Sequence, residues 1–118
     1  MKLESISGTA AAENLQEDYQ LAKRVEQYRV GQKALYFTGF FSSRCLPYRA
    51  VQRVWLKNAS LPVTGSCGKA LPIVVLRIQY DGGFYQNVTF EKRRSAQTVL
   101  DRITGENPSA EIHEDPAP

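Results

Sequence analysis

Apolar residues in this chain follow two rhythms. From Phe84 to Phe90 they alternate, in mixed fashion, with polar ones. In two other stretches they recur every three or four residues. Ile73 to Tyr80 is rich in β-branched side chains and predicts a strand. Asp81-Gly82-Gly83 follows, supplying the positive-φ positions of a tight turn. Phe84 to Glu91 then predicts the returning strand, with Phe84, Gln86, Val88 and Phe90 on one face and Tyr85, Asn87 and Thr89 on the other. One face is expected to be buried and the other wet.

The helical rhythm marks residues 11–29, where Leu15, Tyr19, Ala22 and Val25 recur without an intervening Gly or Pro and Gly31 stands beyond the end. It returns over Ser95 to Thr104, where Ala96, Val99, Leu100 and Ile103 line one stripe. Ser95 suits the start of that helix and Gly105 its end. Ala34 to Phe41 is short and aromatic and predicts a strand, with Ser42-Ser43 as a turn. Arg44 to Asn58 reads as extended chain bent at Pro47. Ala59 to Leu71, with Pro62, Gly65 and Gly68, reads as a loop.

Strands gathered ahead of a helix indicate an α+β domain with an antiparallel sheet, its open mouth sealed by the last helix. The expected divisions are a disordered stretch 1–10, an N-terminal helix 11–29, the folded domain 30–105 and a disordered acidic tail 106–118. A chain of 118 residues suffices for one such domain.

The segment Arg44-Cys45-Leu46-Pro47-Tyr48-Arg49-Ala50-Val51-Gln52-Arg53-Val54-Trp55, with Leu35-Tyr36-Phe37 before it and the hairpin and final helix after it, resembles bacterial pleckstrin-homology-like (PH-like) domains. The resemblance spans about residues 30–104. It implies a partly open antiparallel β-barrel or roll capped by the C-terminal helix, here with an additional N-terminal helix. It also implies binding or scaffolding rather than catalysis. A full barrel of that family has about seven strands, and the pattern here supplies four or five.

Charge is unevenly spread. Residues 29–105 carry twelve Lys or Arg against three acids, a net +9, while residues 1–28 net −2 and residues 106–118 net −4. A basic field of that size attracts anions. If Arg49 to Lys57 is a strand, alternation places Arg49, Val51, Arg53, Trp55 and Lys57 on one face, and Lys92-Arg93-Arg94 forms a second basic cluster. Arg49, Arg53, Trp55, Lys57, Lys92, Arg93 and Arg94 are therefore the candidate binding residues. The plainer alternative is a wet strand face whose long cationic stems cover apolar neighbours, with Trp55 in the core beside a bulge. The acidic ends are expected to shield the basic face.

No catalytic set emerges. The one histidine, His113, lies in the tail, so no nucleophile has a base beside it. Gly65-Ser66-Cys67-Gly68 lacks nucleophile-elbow spacing, and Gly65 to Lys69 is too short for a phosphate-binding loop. Asp81, Glu91 and Asp101 are the acids available for paired-carboxylate chemistry, and Asp81 is required by the turn. Cys45 and Cys67 do not have zinc-site spacing, and whether they pair is left open. The chain is thus expected to need no cofactor and no metal. Its partner is expected to be a protein or peptide, taken by strand addition at a sheet edge, with nucleic acid or anionic lipid as the alternative and pairing of two copies through the N-terminal helix as a further option. The longest apolar run, Leu71 to Leu76, is too short to cross a bilayer, and a cytoplasmic location is expected.

Overall fold

The computed structural model describes residues 2–7, 15–38, 42–62 and 70–115. It is an α+β fold of two mostly antiparallel sheets and a C-terminal helix. The elements in chain order are β1 (Lys2–Ser5), α1 (Gln16–Leu21), β2 (Lys23–Val25), β3 (Tyr28–Val30), β4 (Ala34–Thr38), β5 (Ser42–Pro47), a 3-10 turn (Tyr48–Ala50), β6 (Val51–Pro62), β7 (Ala70–Tyr80), β8 (Phe84–Phe90), α2 (Arg93–Glu106) and β9 (Glu111–Glu114). The first sheet has the order β1-β5-β4-β3-β2 and the second β8-β7-β6-β9. They do not join into a closed barrel. Each sheet gains a parallel edge strand, β1 on β5 and β9 on β6, and all other pairings are antiparallel.

The main core lies between the sheets and α2. Val54 and Leu56 of β6, Leu76 and Ile78 of β7, and Val88 and Phe90 of β8 point inward. Ala96, Val99, Leu100 and Ile103 of α2 are buried against them, as the helical stripe predicts. The β7–β8 turn is also as expected, with Asp81 at φ 53° and Gly82 at φ 81°. Phe84 departs from its predicted face: it sits at the hairpin tip, 61% exposed, stacked on Tyr80.

A second, smaller core covers the other side of the first sheet, where Leu15 and Tyr19 of the α1 region pack on Ala34, Tyr36 and Cys45. Alternation along β4 sends Leu35 to one core and Ala34 and Tyr36 to the other, so both faces are apolar. Asp18 ties this layer together. Its carboxylate accepts bonds from the Gln32 N–H at 2.9 Å, the Lys33 N–H at 3.2 Å and the Tyr36 hydroxyl at 2.5 Å. Gly31 lies beneath it, and a Cβ there would collide with Asp18 Oδ2 and come within 2.8 Å of Tyr36 Cε2. Burial, then the Asp18 hydrogen bond and charge, holds the Tyr36 phenol above its ordinary pKa.

Four expectations need correction. Residues 11–29 are not one helix. Among the described residues only Gln16–Leu21 is helical, and Lys23–Val30 forms the β2–β3 hairpin. The alternating Tyr28 and Val30 bury in the main core, which a continued helix would not allow. The turn places Glu26 at φ 54°, a left-handed conformation costing about 1–2 kcal/mol without glycine. Its carboxylate offsets this by accepting the Glu91 N–H at 2.7 Å and the Lys92 N–H at 3.2 Å. Second, Lys2–Ser5 is a strand, not disordered, since β5 offers an open edge. Third, β6 runs to Pro62 and β7 starts at Ala70, so much of the expected loop is ladder. Fourth, Glu111–Glu114 is paired on β6. The expected strand residues Gly39 to Phe41, the loop residues 63–69 with Cys67, and Pro116 to Pro118 lie outside the described residues.

Candidate functional site

The second sheet presents one face to α2 and the other to solvent. Which residues face out is decided by a bulge. The β6–β7 register slips between Val51 and Arg53, so Val51 is buried although it shares odd numbering with Arg53, Trp55 and Lys57. Beyond the slip, Arg53 and Lys57 are exposed and Trp55 half-buried, while Val54 and Leu56 bury. Three of the candidate residues, Arg53, Trp55 and Lys57, are therefore brought together on one outer face. Arg49 is not: it is exposed in the 3-10 turn before the bulge.

Neighbouring strands complete the surface. Registry sets Arg77 of β7 and His113 of β9 on either side of Trp55. The His113 ring stacks on Trp55 at 5.9 Å and 14°. Tyr85 of β8 lies 6.2 Å from Trp55 on the other side, with the Arg77 guanidinium 4.4 Å from its ring centre. A band of rings and cations thus crosses all four strands.

The acidic C-terminal strand β9 occupies the outer edge of β6. Glu111 pairs with Arg53, Nε to Oε2 2.8 Å. Ile112 lies beside Val54 on the inner side and packs on the main core. The Asp115 N–H donates to the Leu56 carbonyl at 2.8 Å, and the Asn58 N–H donates to Asp115 Oδ2 at 3.2 Å. Arg93, the first residue of α2, reaches across to the same end of the strand. Its Nη1 donates to Asn58 Oδ1 at 3.0 Å and its Nη2 to the Asp115 carbonyl at 2.5 Å. Arg93 therefore joins the β6 site although it belongs to the second basic cluster. Lys92 and Arg94 do not: their side chains are exposed, the Lys92 N–H is held by Glu26, and the Arg94 carbonyl accepts the Thr98 hydroxyl.

Composition alone assigns Glu111, Ile112, His113 and Asp115 to a disordered tail and does not tie Arg77 or Tyr85 to the site. The signal that marks β9 is its period-two pattern, with Ile112 flanked by Glu111 and His113, complementary to Arg53-Val54-Trp55 across the ladder. The opposite edge of the sheet is less available. Tyr28 Oη donates to the Thr89 carbonyl and accepts the Thr89 N–H, so the β2–β3 hairpin covers that end of β8.

Reactive chemistry is sparse. Burial pushes the Cys45 thiol up to about 11, a bond from Ser5 offsetting only part of this, so little thiolate forms at neutral pH. Among the described residues no group of three or more His, Cys, Asp or Glu is placed to hold a metal ion, and no helix is long and apolar enough to cross a membrane.

Comparison of the chain with protein-family models, with curated proteins and with solved structures finds no match in any of the three.

Proposed function

We propose that this chain is a non-catalytic binding module of PH-like type that takes an extended segment of a protein partner along the outer edge of β6. The observation that carries this reading is the seat of β9, where an acidic strand is bound in parallel by backbone bonds, an Arg53 ion pair, a Trp55 stack and the Arg93 clamp. Strand addition draws affinity from main-chain bonds and selectivity from alternate side chains, and this edge offers both. The order of elements lends support to the PH-like character: a four-strand meander β2–β5, a three-strand meander β6–β8, then α2.

Nucleic acid or anionic lipid would use the same face. It takes second place because Glu111 already neutralises Arg53 and His113 covers one side of Trp55. The resident tail competes as an intramolecular ligand, for which a short tether gives an effective concentration on the order of millimolar.

The test uses a fluorescent peptide of residues 109–115 and the full chain carrying Ile112→Asp, which loosens the resident strand. Anisotropy is expected to show saturable binding by the variant, with the unsubstituted chain at least tenfold weaker. If the variant takes up no peptide but retains a single-stranded oligonucleotide with steep salt dependence, the peptide reading gives way to the nucleic-acid one.

A further inference from the structure

The outer face of the second sheet carries a pattern that strand addition at the edge of β6 does not use. Residues line up there in rows across the strands. Arg77 of β7 stands between Trp55 of β6 and Asn87 of β8, and Gln79 stands between Arg53 and Tyr85. Tyr85 is 47% exposed and Trp55 half-buried, with ring centres 6.2 Å apart. The Arg77 guanidinium lies 4.4 Å from the centre of the Tyr85 ring, and Lys57 is exposed two residues beyond Trp55. From these rows β6, β7 and β8 contribute three cations, Arg53, Lys57 and Arg77, and no acid. Among the described residues no acid pairs with Lys57 or Arg77. The counter-charge comes from β9. Glu111 neutralises Arg53, and His113, 3.6 Å from the same carboxylate, covers one side of Trp55. Yet the hold of β9 is narrow. Of its four residues only Ile112 packs on the main core, and the other three are exposed. Asn107 is fixed separately, its side chain donating to the Tyr48 and Val51 carbonyls at 3.0 and 2.8 Å. The strand can therefore swing out about residues 108–110 while the end of α2 keeps its anchor.

We infer that β9 is a gate over a platform for single-stranded nucleic acid, and that the platform opens when β9 leaves its seat. With the strand-addition reading this shares only the premise that β9 is displaceable. Single strands are held by splayed bases stacked on rings and guanidinium planes, and by cations along the backbone. Trp55 and the Arg77–Tyr85 pair supply two neighbouring stacking steps. Arg53 and Lys57 stand on either side of Trp55 along β6, each about 7 Å away by strand rise. Departure of β9 takes Glu111 from Arg53 and uncovers the His113 side of Trp55. With β9 seated, one cation and one ring face are withheld, which is why nucleic acid takes second place in the resting chain. A duplex keeps its base faces inside the stack and gains only the cations. A bilayer takes up exposed apolar side chains, and Val75, the aliphatic residue in the row beside Lys57, is half-buried.

Anisotropy of a labelled eight-nucleotide thymidylate strand tests this on the full chain and on full-chain Ile112→Asp, whose added negative charge works against the expected result. The variant is expected to bind about tenfold tighter than the unsubstituted chain or better, the gain of one uncovered stacking face. Its log affinity is expected to fall with log salt at a slope of about −2, as three cations on a single strand require. In that background Trp55→Ala is expected to weaken binding about tenfold. Arg77→Glu, at an exposed position, is expected to weaken it and to flatten the slope. Equal affinity of the two chains would overturn the gate. Binding that Trp55→Ala and Arg77→Glu both leave unchanged would place the strand elsewhere and overturn the platform. A polyglutamate peptide of matching charge that binds as tightly would make the face a seat for acidic protein, with the same consequence. If Ile112→Asp takes up the peptide 109–115 but no oligonucleotide, the platform falls and strand addition stands. If it takes up the oligonucleotide alone, the reverse holds, and refusal of both overturns both.

Discussion

Replacing Asp18 with Ala removes the acceptor shared by the Gln32 N–H, the Lys33 N–H and the Tyr36 hydroxyl. The three losses are unequal. The two amides lie at an exposed turn, where water replaces the carboxylate, so each contributes about 0.5 kcal/mol. Tyr36 is fully buried, and its hydroxyl would keep only the Leu15 carbonyl at 3.3 Å. A charge-assisted bond to a buried donor is worth roughly 1.5–3 kcal/mol. The sum is about 3 kcal/mol. For 118 residues the unfolding entropy is about 0.25 kcal/mol/K, which converts the loss to a Tm lower by roughly 12 °C. Calorimetric melting measures this. A cycle with Tyr36→Phe isolates the pair, and a coupling of at least 1 kcal/mol is expected. A loss below about 0.5 kcal/mol for the single variant would show that α1 is not held by this carboxylate, and the argument would fail.

Other outcomes are expected at separate sites. Burial acts to raise the Glu26 pKa, but hydrogen bonds from the Glu91 N–H, Ser95 and the Lys92 N–H, with the Lys92 charge, outweigh it and the net shift is downward. Its stabilisation is therefore complete above the ordinary glutamate range and lost as pH falls through the lowered value; urea melts between pH 6 and 2 should show a shallower acid loss for Glu26→Gln. Cys45, buried with a raised pKa, should resist iodoacetamide in the native chain at pH 8 and react at the free-thiol rate in denaturant, as read by peptide mass spectrometry. Arg93→Ala removes the clamp on Asp115 and should speed hydrogen exchange at the Asp115 amide about tenfold, the equivalent of one net hydrogen bond, with Leu76 unaffected.

What could be read in the sequence follows from where one signal dominated. The β7–β8 hairpin and the α2 stripe were legible because patterning and turn chemistry agree there, from Asp81-Gly82 to Ala96, Val99, Leu100 and Ile103. The stretch after Leu15 misled because Leu15 caps and Tyr19 lies on a short helix, and Val25 happens to continue the spacing. Tertiary burial of Tyr28 and Val30 then overrode the local preference. In the candidate site, Arg53, Trp55 and Lys57 were found by alternation alone, whereas the bulge that excludes Arg49 and Val51 has no glycine to announce it. β9 was missed because a four-residue acidic strand with one apolar residue has almost no propensity of its own. It is ordered by the edge it meets.

Gln52 sets the phase of that whole surface. It is the residue skipped by the ladder, so it lets Val51 and Val54 both turn inward over an odd spacing, and its side chain accepts the Gly82 N–H at 2.7 Å to hold the skip open. Were Gln52 instead drawn into the ladder, strict alternation from Val51 would turn Arg53, Trp55 and Lys57 toward the hydrophobic interior and Val54 and Leu56 out to solvent. An unremarkable glutamine outside the contact surface thus decides which side of β6 a partner can see.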